Sequence, residues 1–431
     1  MDMEPVSLLK QLIRIDTTNP PGNEKQLLKV LMDIFEQEDI AYTFQETVSG
    51  RGNLLAWLPA HEDSAQAPLI LLSHVDVVEA APENWKYPPF EAVEEEGYLY
   101  GRGTVDTKQL TVMELMAFLK LKQSGVKRKK DVFFLATSDE ESGSSYGLSW
   151  FLEHEVTIGD RKFLGKELFP GSDVISEGGG FPVAAGKRLY YLCESGQKGG
   201  GVVVFTVKAK CFRGPFLPSS DGMERAMALV QDIGSRSMEG RLLDTVRYFE
   251  ASFAGAELSP MMHKILTAMK RNSMTVTMIE GTSTQEVQVI CDIRLLPGFG
   301  RDDLEKVLNQ IAEKWECTWQ IRSFWEGYES NPESQFLQIL EAATLEVLGE
   351  TKEKVQILPF VSMGSSDGHF LAGLGAHIYG YSPVYEWDMT FDTAVTMVHG
   401  VNERIHKDSV ELGCQVLTLA VRQAVGKERS K

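Results

Sequence analysis

Basic residues are in short supply. The 431-residue chain carries 43 Lys and Arg against 61 Asp and Glu, a formal net charge of -18. Such an acidic surface repels phosphate backbones, which argues against a nucleic-acid partner. Cysteine pairs are missing too. The five cysteines (Cys193, Cys211, Cys291, Cys317, Cys414) are scattered and odd in number, with no Cys-x-x-Cys. That speaks against a disulfide framework and a thiolate zinc site, and predicts a reducing, cytoplasmic setting. No stretch approaches the roughly 18 apolar residues of a membrane helix, and the N-terminus shows no basic segment leading into an apolar one. No membrane association is expected. Internal repeats, charge runs and low-complexity segments are also absent.

What is present is apolar periodicity. The chain is 43% hydrophobic and 24% charged, at a length that predicts two domains. Leu8, Leu9, Leu12 and Ile13, then Leu27, Leu28, Leu31, Ile34 and Phe35, recur at helical spacing around the turn "TTNPPGN", with Asn23 as N-cap of the second helix. Strand-like "LILLS", a helix from about Thr107 to Ser124, strand-like "DVFFLAT" and a helix after Ser144 follow. This alternation predicts a largely parallel α/β sheet. The texture changes at "ESGQKGGGVVVFTVKAK". A glycine-rich hinge there leads into an alternating strand, a helix (Met223 to Gly234), two strands, a helix (Asp302 to Lys314) and strand "CTWQIRS". This reads as a smaller α+β unit with an antiparallel sheet. The predicted organisation is a discontinuous catalytic domain, residues 1–197 and 326–431, interrupted by an inserted domain over residues 198–325.

Ligands of open α/β sheets sit beyond the carboxyl ends of the strands. Polar residues cluster at those places. His74 and Asp76 follow "LILLS", Glu140 and Glu141 follow "DVFFLAT", and Glu177 follows "SDVIS". Asp106 lies in the tight loop "GYLYGRGTVDTK", and His399 stands in "MVHGVNERI", before an expected short helix. Each has an ordinary reading as a cap, a solvated turn or a structural histidine. Together, two imidazoles and several carboxylates suit a pair of borderline cations such as Zn²⁺ and leave one carboxylate over as a base.

The motifs "HVDVV", "W…PPF" at Trp85 to Phe90, "GYLYGRGTVDTK", "DEESGS", "SEGG" and "HGVNE" occur in one order. In this the chain resembles the co-catalytic zinc amidohydrolases and peptidases that include aminoacylase, carboxypeptidase G, acetylornithine deacetylase and succinyl-diaminopimelate desuccinylase. The resemblance covers nearly the whole chain. It implies a zinc-exopeptidase-like catalytic domain with a mostly parallel sheet, carrying a ferredoxin-like lid and dimerisation domain. It implies two Zn²⁺ per chain, with Co²⁺ or Mn²⁺ as substitutes. His74 and Glu177 would serve one ion, Glu141 and His399 the other, and Asp106 both. Glu140 would be the general base, and Asp76 would aim His74. A cis peptide bond after Asp106 and a homodimer through the inserted domain are implied as well. The expected reaction is hydrolysis of an amide in a small N-acyl amino acid or short peptide.

Two departures from the family pattern keep a second reading open, a metal-binding pseudoenzyme or regulatory protein with a degenerate lid. The lid histidine is missing from "CFRGPFLPSSDG", where Arg213 is the candidate replacement, and the substrate-binding Asn before "CDIRLL" is absent. Where relatives hold a substrate carboxylate with Asp-x-Arg, "SMGSSDGHFLAG" offers Asp367 and His369. Asp292 and Arg294 read as a structural ion pair.

Overall fold

The computed structural model describes residues 3–61, 64–210, 221–236, 238, 240–253, 258–283 and 286–426. Its centre is a run of parallel strands, Val132–Thr137, Leu69–His74, Asp173–Ser176 and His377–Gly380, in that order. Every residue of Leu69–His74 and of Val132–Thr137 is buried. A strand covered on both faces needs a continuous apolar run, and "LILLSH" and "VFFLAT" supply it. Alternate residues then feed two cores. Leu69, Leu71 and Phe134 enter the larger core with helices Pro5–Ile13, Lys108–Gln123 and Lys407–Val425. Ile70, Leu72, Phe133 and Leu135 enter a second core with Leu148, Phe151 and Leu371 on the opposite face.

The flanks of this sheet are mixed. Ala41–Val48 and Arg51–Leu58 add an antiparallel hairpin at one side. At the other, Arg188–Gln197 pairs antiparallel with His377–Gly380 and Pro182–Ala185, and parallel with Val355–Ser362. The hairpin was not read from the sequence.

A separate four-stranded antiparallel sheet has the order Ser273–Ser283, Glu286–Leu295, Gly199–Lys208, Thr318–Trp325. With helices Gly222–Ser235 and Arg301–Trp315 it makes the βαββαβ order of a ferredoxin-like unit. Val203, Phe205, Val289 and Ile293 face Ala226, Leu229, Leu304 and Leu308 in its core.

Not all of residues 198–325 packs this way. Helices Asp244–Ser252 and Pro260–Ala268 lie in that stretch, yet Val246, Phe249 and Met262 belong to the larger core. The Phe253 ring lies tilted against Tyr190 of the large sheet, centroids 4.8 Å apart. An amphipathic helix announces a face to be buried but not which core will bury it.

Candidate metal centre

The site forms where strands end. His74 is the last residue of its strand and only 2% exposed. Its Nδ1 lies 3.1 Å from the Asp76 carbonyl and 3.4 Å from Asp76 Oδ1. That directs Nε2 towards Asp106 Oδ1 at 3.3 Å and Glu177 Oε2 at 3.5 Å. Asp76 is fully buried and does more than face the histidine. It accepts from the backbone N–H of Glu140 (3.2 Å) and of Glu141 (3.1 Å) and from Asn19 Nδ2 (2.8 Å). One carboxylate thus holds both the imidazole and the turn Glu140–Ser142. The turn opens at Asp139 with φ 68°, and Asp139 is paired with Arg51 at 3.0 Å.

Asp106 sits in a loop that is pinned from elsewhere in the chain. Buried Glu403 accepts from the N–H groups of Val105 (2.6 Å), Asp106 (3.0 Å) and Gly103 (3.1 Å) and from Arg102 Nη1 (2.8 Å). The Asp106–Thr107 peptide bond is cis. The segment bearing Glu403 also presents His399, whose Nε2 lies 3.1 Å from Asp106 Oδ2 and 3.1 Å from Glu141 Oε2. His399 does not precede a short helix, as expected. It follows one, Phe391–Met397, at φ 58°, because Gly400 and the left-handed Asn402 turn the chain into strand Arg404–His406 instead.

The electrostatics ask for cations. Ligand atoms of His74, Asp106 and Glu141 lie within 4.8 Å of one another, as do those of His74, Glu140 and Glu177. Burial would lower the pKa of His74, but Glu177, Asp106 and Asp76 outweigh it and hold it well above its ordinary value. Hydrogen bonds to Asp106 and Glu141 raise His399 to about 10. Burial, then Glu177, pushes Glu140 well above the usual carboxylate range. The protein alone therefore offsets the crowded carboxylates with protons. Two buried atoms of the cluster, His74 Nε2 and Glu141 Oε1, make no well-aligned hydrogen bond, although Nε2 stands 3.3 Å from Asp106 Oδ1. Buried polar atoms are rarely left so, and imidazole plus carboxylate is a donor set that Zn²⁺ takes up. The residues fit a pair of such ions.

A cleft of about 930 Å³ opens over the cluster. Asp367 and His369 both line it, but neither is a ready anion receptor. Asp367 is buried, accepts from Thr137 Oγ1 at 3.1 Å and from Ser144, and is pushed up to about 7 by burial. It ties the Glu140 turn to the far end of the chain. His369 Nδ1 lies 2.6 Å from the Ser366 carbonyl, so the proton sits on Nδ1 and Nε2 accepts rather than donates. Arg213 lies outside the described residues. Arg294 pairs with Asp292 at 3.1 Å, as read from the sequence.

The sequence reading missed Glu403, Arg102, Asn19 and the buried Glu194, which accepts from Tyr328 Oη at 3.1 Å and is raised to about 8, chiefly by burial. Glu403 stood in plain view in "HGVNE", but nothing local says that its acceptors face a loop some 300 residues earlier.

Residues 70–423 match the family model for peptidase family M20/M25/M40. Over 94% of its length the chain is 24% identical to the N-fatty-acyl-amino acid synthase/hydrolase PM20D1 of Xenopus tropicalis, covering 83% of that protein. A probable succinyl-diaminopimelate desuccinylase of Staphylococcus epidermidis is 33% identical over 148 residues, 34% of this chain and 35% of the relative. Among solved structures, the fold is similar to the M20 metallo-carboxypeptidase Sso-CP2 of Sulfolobus solfataricus (TM-score 0.70, 17% identity, 98% and 99% of the two chains covered). It is also similar to human carnosine dipeptidase 1 (TM-score 0.65, 16% identity, 96% and 94% covered). A strand-end cluster of this chemistry, on this fold and within a family match spanning most of the sequence, makes the chain a member of peptidase family M20/M25/M40, hydrolases of peptides and acyl amino acids.

Proposed function

We propose that this protein hydrolyses the amide bond of a small N-acyl amino acid or short peptide, using two divalent ions and Glu140 as general base. The observation that carries the reading is the convergence of His74, Asp106, Glu140, Glu141 and Glu177, whose ligand atoms fall in two groups within 4.8 Å. His74, Asp106 and Glu177 would hold one ion and Asp106, Glu141 and His399 the other. Zn²⁺ suits the donors, and Co²⁺ or Mn²⁺ would also be accepted. Bound there, such ions supply Lewis acidity and bring the ionisation of water near neutrality.

The chain's own residues do the rest. Asp76 fixes the tautomer of His74 so that the Nε2 lone pair faces the cluster. Through the N–H groups of Glu140 and Glu141 it also sets where those two side chains start. Glu140 takes the proton of the attacking water and returns it to the leaving nitrogen. The relatives' names, a fatty-acyl-amino acid hydrolase, a desuccinylase and a dipeptidase, support a small acylated amino acid or dipeptide as substrate. The edge strand Ser273–Ser283 exposes Met278 and Ile279, which supports a homodimer through the small sheet. Among the described residues Cys193, Cys291, Cys317 and Cys414 are free thiols, which supports a cytoplasmic setting.

Replacing Glu140 with Gln tests the base. Turnover should fall by about two orders of magnitude or more while metal content stays at two per chain. Near-native turnover would overturn the assignment. Absence of chelator-sensitive turnover on every N-acyl amino acid and dipeptide tried would favour the binding-protein reading.

A further inference from the structure

We propose that the cavity between the small sheet and helix Pro260–Ala268 binds the phosphate group of a small organic phosphate ester, at a site separate from the metal centre. The inference goes beyond the hydrolase reading and does not depend on it. The cavity has a volume of about 720 Å³ and shares no lining residue with the metal cleft. That size falls within the ~300–1,000 Å³ of small-molecule pockets. Lys198, Arg236, His263, Lys264 and Arg271 line it. Among the described lining residues there is no Asp or Glu. In a chain with 61 acidic residues against 43 basic ones, this local excess of cations attracts an anion.

The fold gathers these cations without neutralising them. Lys198 is the one residue between strands Arg188–Gln197 and Gly199–Lys208, where the chain crosses from the large sheet to the small one. Its N–H donates to the Ser362 carbonyl at 3.0 Å, and the residue is 2% exposed. An ammonium carries three donors, and here one of them meets the Arg271 carbonyl. Among the described residues, no carboxylate pairs with Lys198, Lys264 or Arg271. Burial, then Arg294, lowers Lys198 to about 8, the response of a buried cation without a counter-charge. Arg236 differs, being paired with Asp232 at 2.9 Å. Three uncompensated charges therefore face one space. A phosphate ester is close to a dianion at neutral pH and offers three strong acceptor oxygens, whereas a carboxylate carries a single charge. Ile233, Ala268 and Met274 give the same cavity an apolar wall for the organic part of the ester. Helix Pro260–Ala268 divides the two spaces, with Met261 and Ile265 towards the metal cleft and Lys264 and Thr267 towards this cavity. The helix packs on the large core through Met262, and Ile233 belongs to the small one, so a bound ester touches both units.

Calorimetric titration of the metal-loaded full chain with glucose 6-phosphate, inorganic phosphate and glucose tests this, repeated after chelation. Glucose 6-phosphate should bind at one site per chain with or without metal, inorganic phosphate more weakly and glucose not at all. Lys264→Glu and Arg271→Glu, both on exposed side chains, should each raise its Kd about tenfold or more. Lys162→Glu, the same change of charge on the separate strand Arg161–Leu164, should leave the Kd unchanged. Amide hydrogen exchange should slow in Pro260–Ala268 and in residues 271–274 when the ester is bound. Binding that disappears on chelation belongs to the metal centre and overturns the proposal. So does the absence of binding by either phosphate, or inorganic phosphate binding as tightly as the ester. A Kd unmoved by both cavity substitutions, or moved equally by Lys162→Glu, overturns it as well.

Discussion

The two sides of the metal centre are built differently. His74 and Glu177 stand at the ends of neighbouring parallel strands, and the ladder Leu69↔Asp173 to Leu71↔Ile175 fixes their separation. His399 and Asp106 stand on loops. The His74 side chain is 2% exposed and that of His399 is 55% exposed, although each faces Asp106. On the strand side, backbone hydrogen bonds within a buried sheet give the geometry directly. On the loop side a buried carboxylate, Glu403, replaces that ladder by collecting three amide N–H groups and a guanidinium. The difference teaches that His74 and Glu177 are placed by the fold itself, whereas the placing of Asp106 and His399 depends on a single side chain outside the cluster.

The largest expected effect is at Asp76, which serves both sides. Asp76→Asn turns an amide donor towards Glu140 N–H, Glu141 N–H or Asn19, all of them donors. Metal affinity should fall about 100-fold at both positions, read as metal content after dialysis against buffered chelator. A loss confined to one ion would break the comparison at its root. Glu403→Gln comes next. It should weaken metal binding about 10- to 100-fold, more at the loop-side position than at the position that shares only Asp106 with it, with the metal-free melting temperature as a control for folding. An unchanged metal content, or a larger loss at the strand-side position, would contradict the asymmetry.

The smallest effect concerns Glu194, beside Glu177 on the strand side. A Cβ added at Gly178 would stand 2.3 Å from Glu194 Oε2. Its folded pKa of about 8, raised chiefly by burial and then by Glu177, exceeds the unfolded value of 4.5. The folded state therefore keeps a proton that the unfolded chain gives up, and stability is lost as pH rises from about 4.5 to about 8. Glu194→Gln should remove on the order of 1 kcal/mol of that loss per pH unit in metal-free protein, measured by urea unfolding between pH 5 and 8. An unchanged pH slope would show that the strand side carries no such strain.

Legibility in the sequence followed the same division. "LILLS" and "VFFLAT" declare buried strands because every residue is apolar or small, and the proposed ligands directly after them could be picked out as strand-end polar groups. Asp106 and His399 were picked out in loops without such a frame, and the motif order of the family supplied their roles. Helix Pro260–Ala268 was missed since its short pattern reads equally well against either core. Asp367 was legible as a special loop residue but not as a staple, because Thr137 and Ser144 lie more than 200 residues away.

By itself, the sequence determined the period of each element, the acidic balance and the supply of imidazole and carboxylate, all of which are local chemistry. Tertiary structure alone decided which carboxylates accept amides and which remain partnerless for a metal, and which helix faces line the cleft. Those outcomes depend on what a distant segment brings within about 3 Å, the range of a hydrogen bond, and no local pattern encodes that.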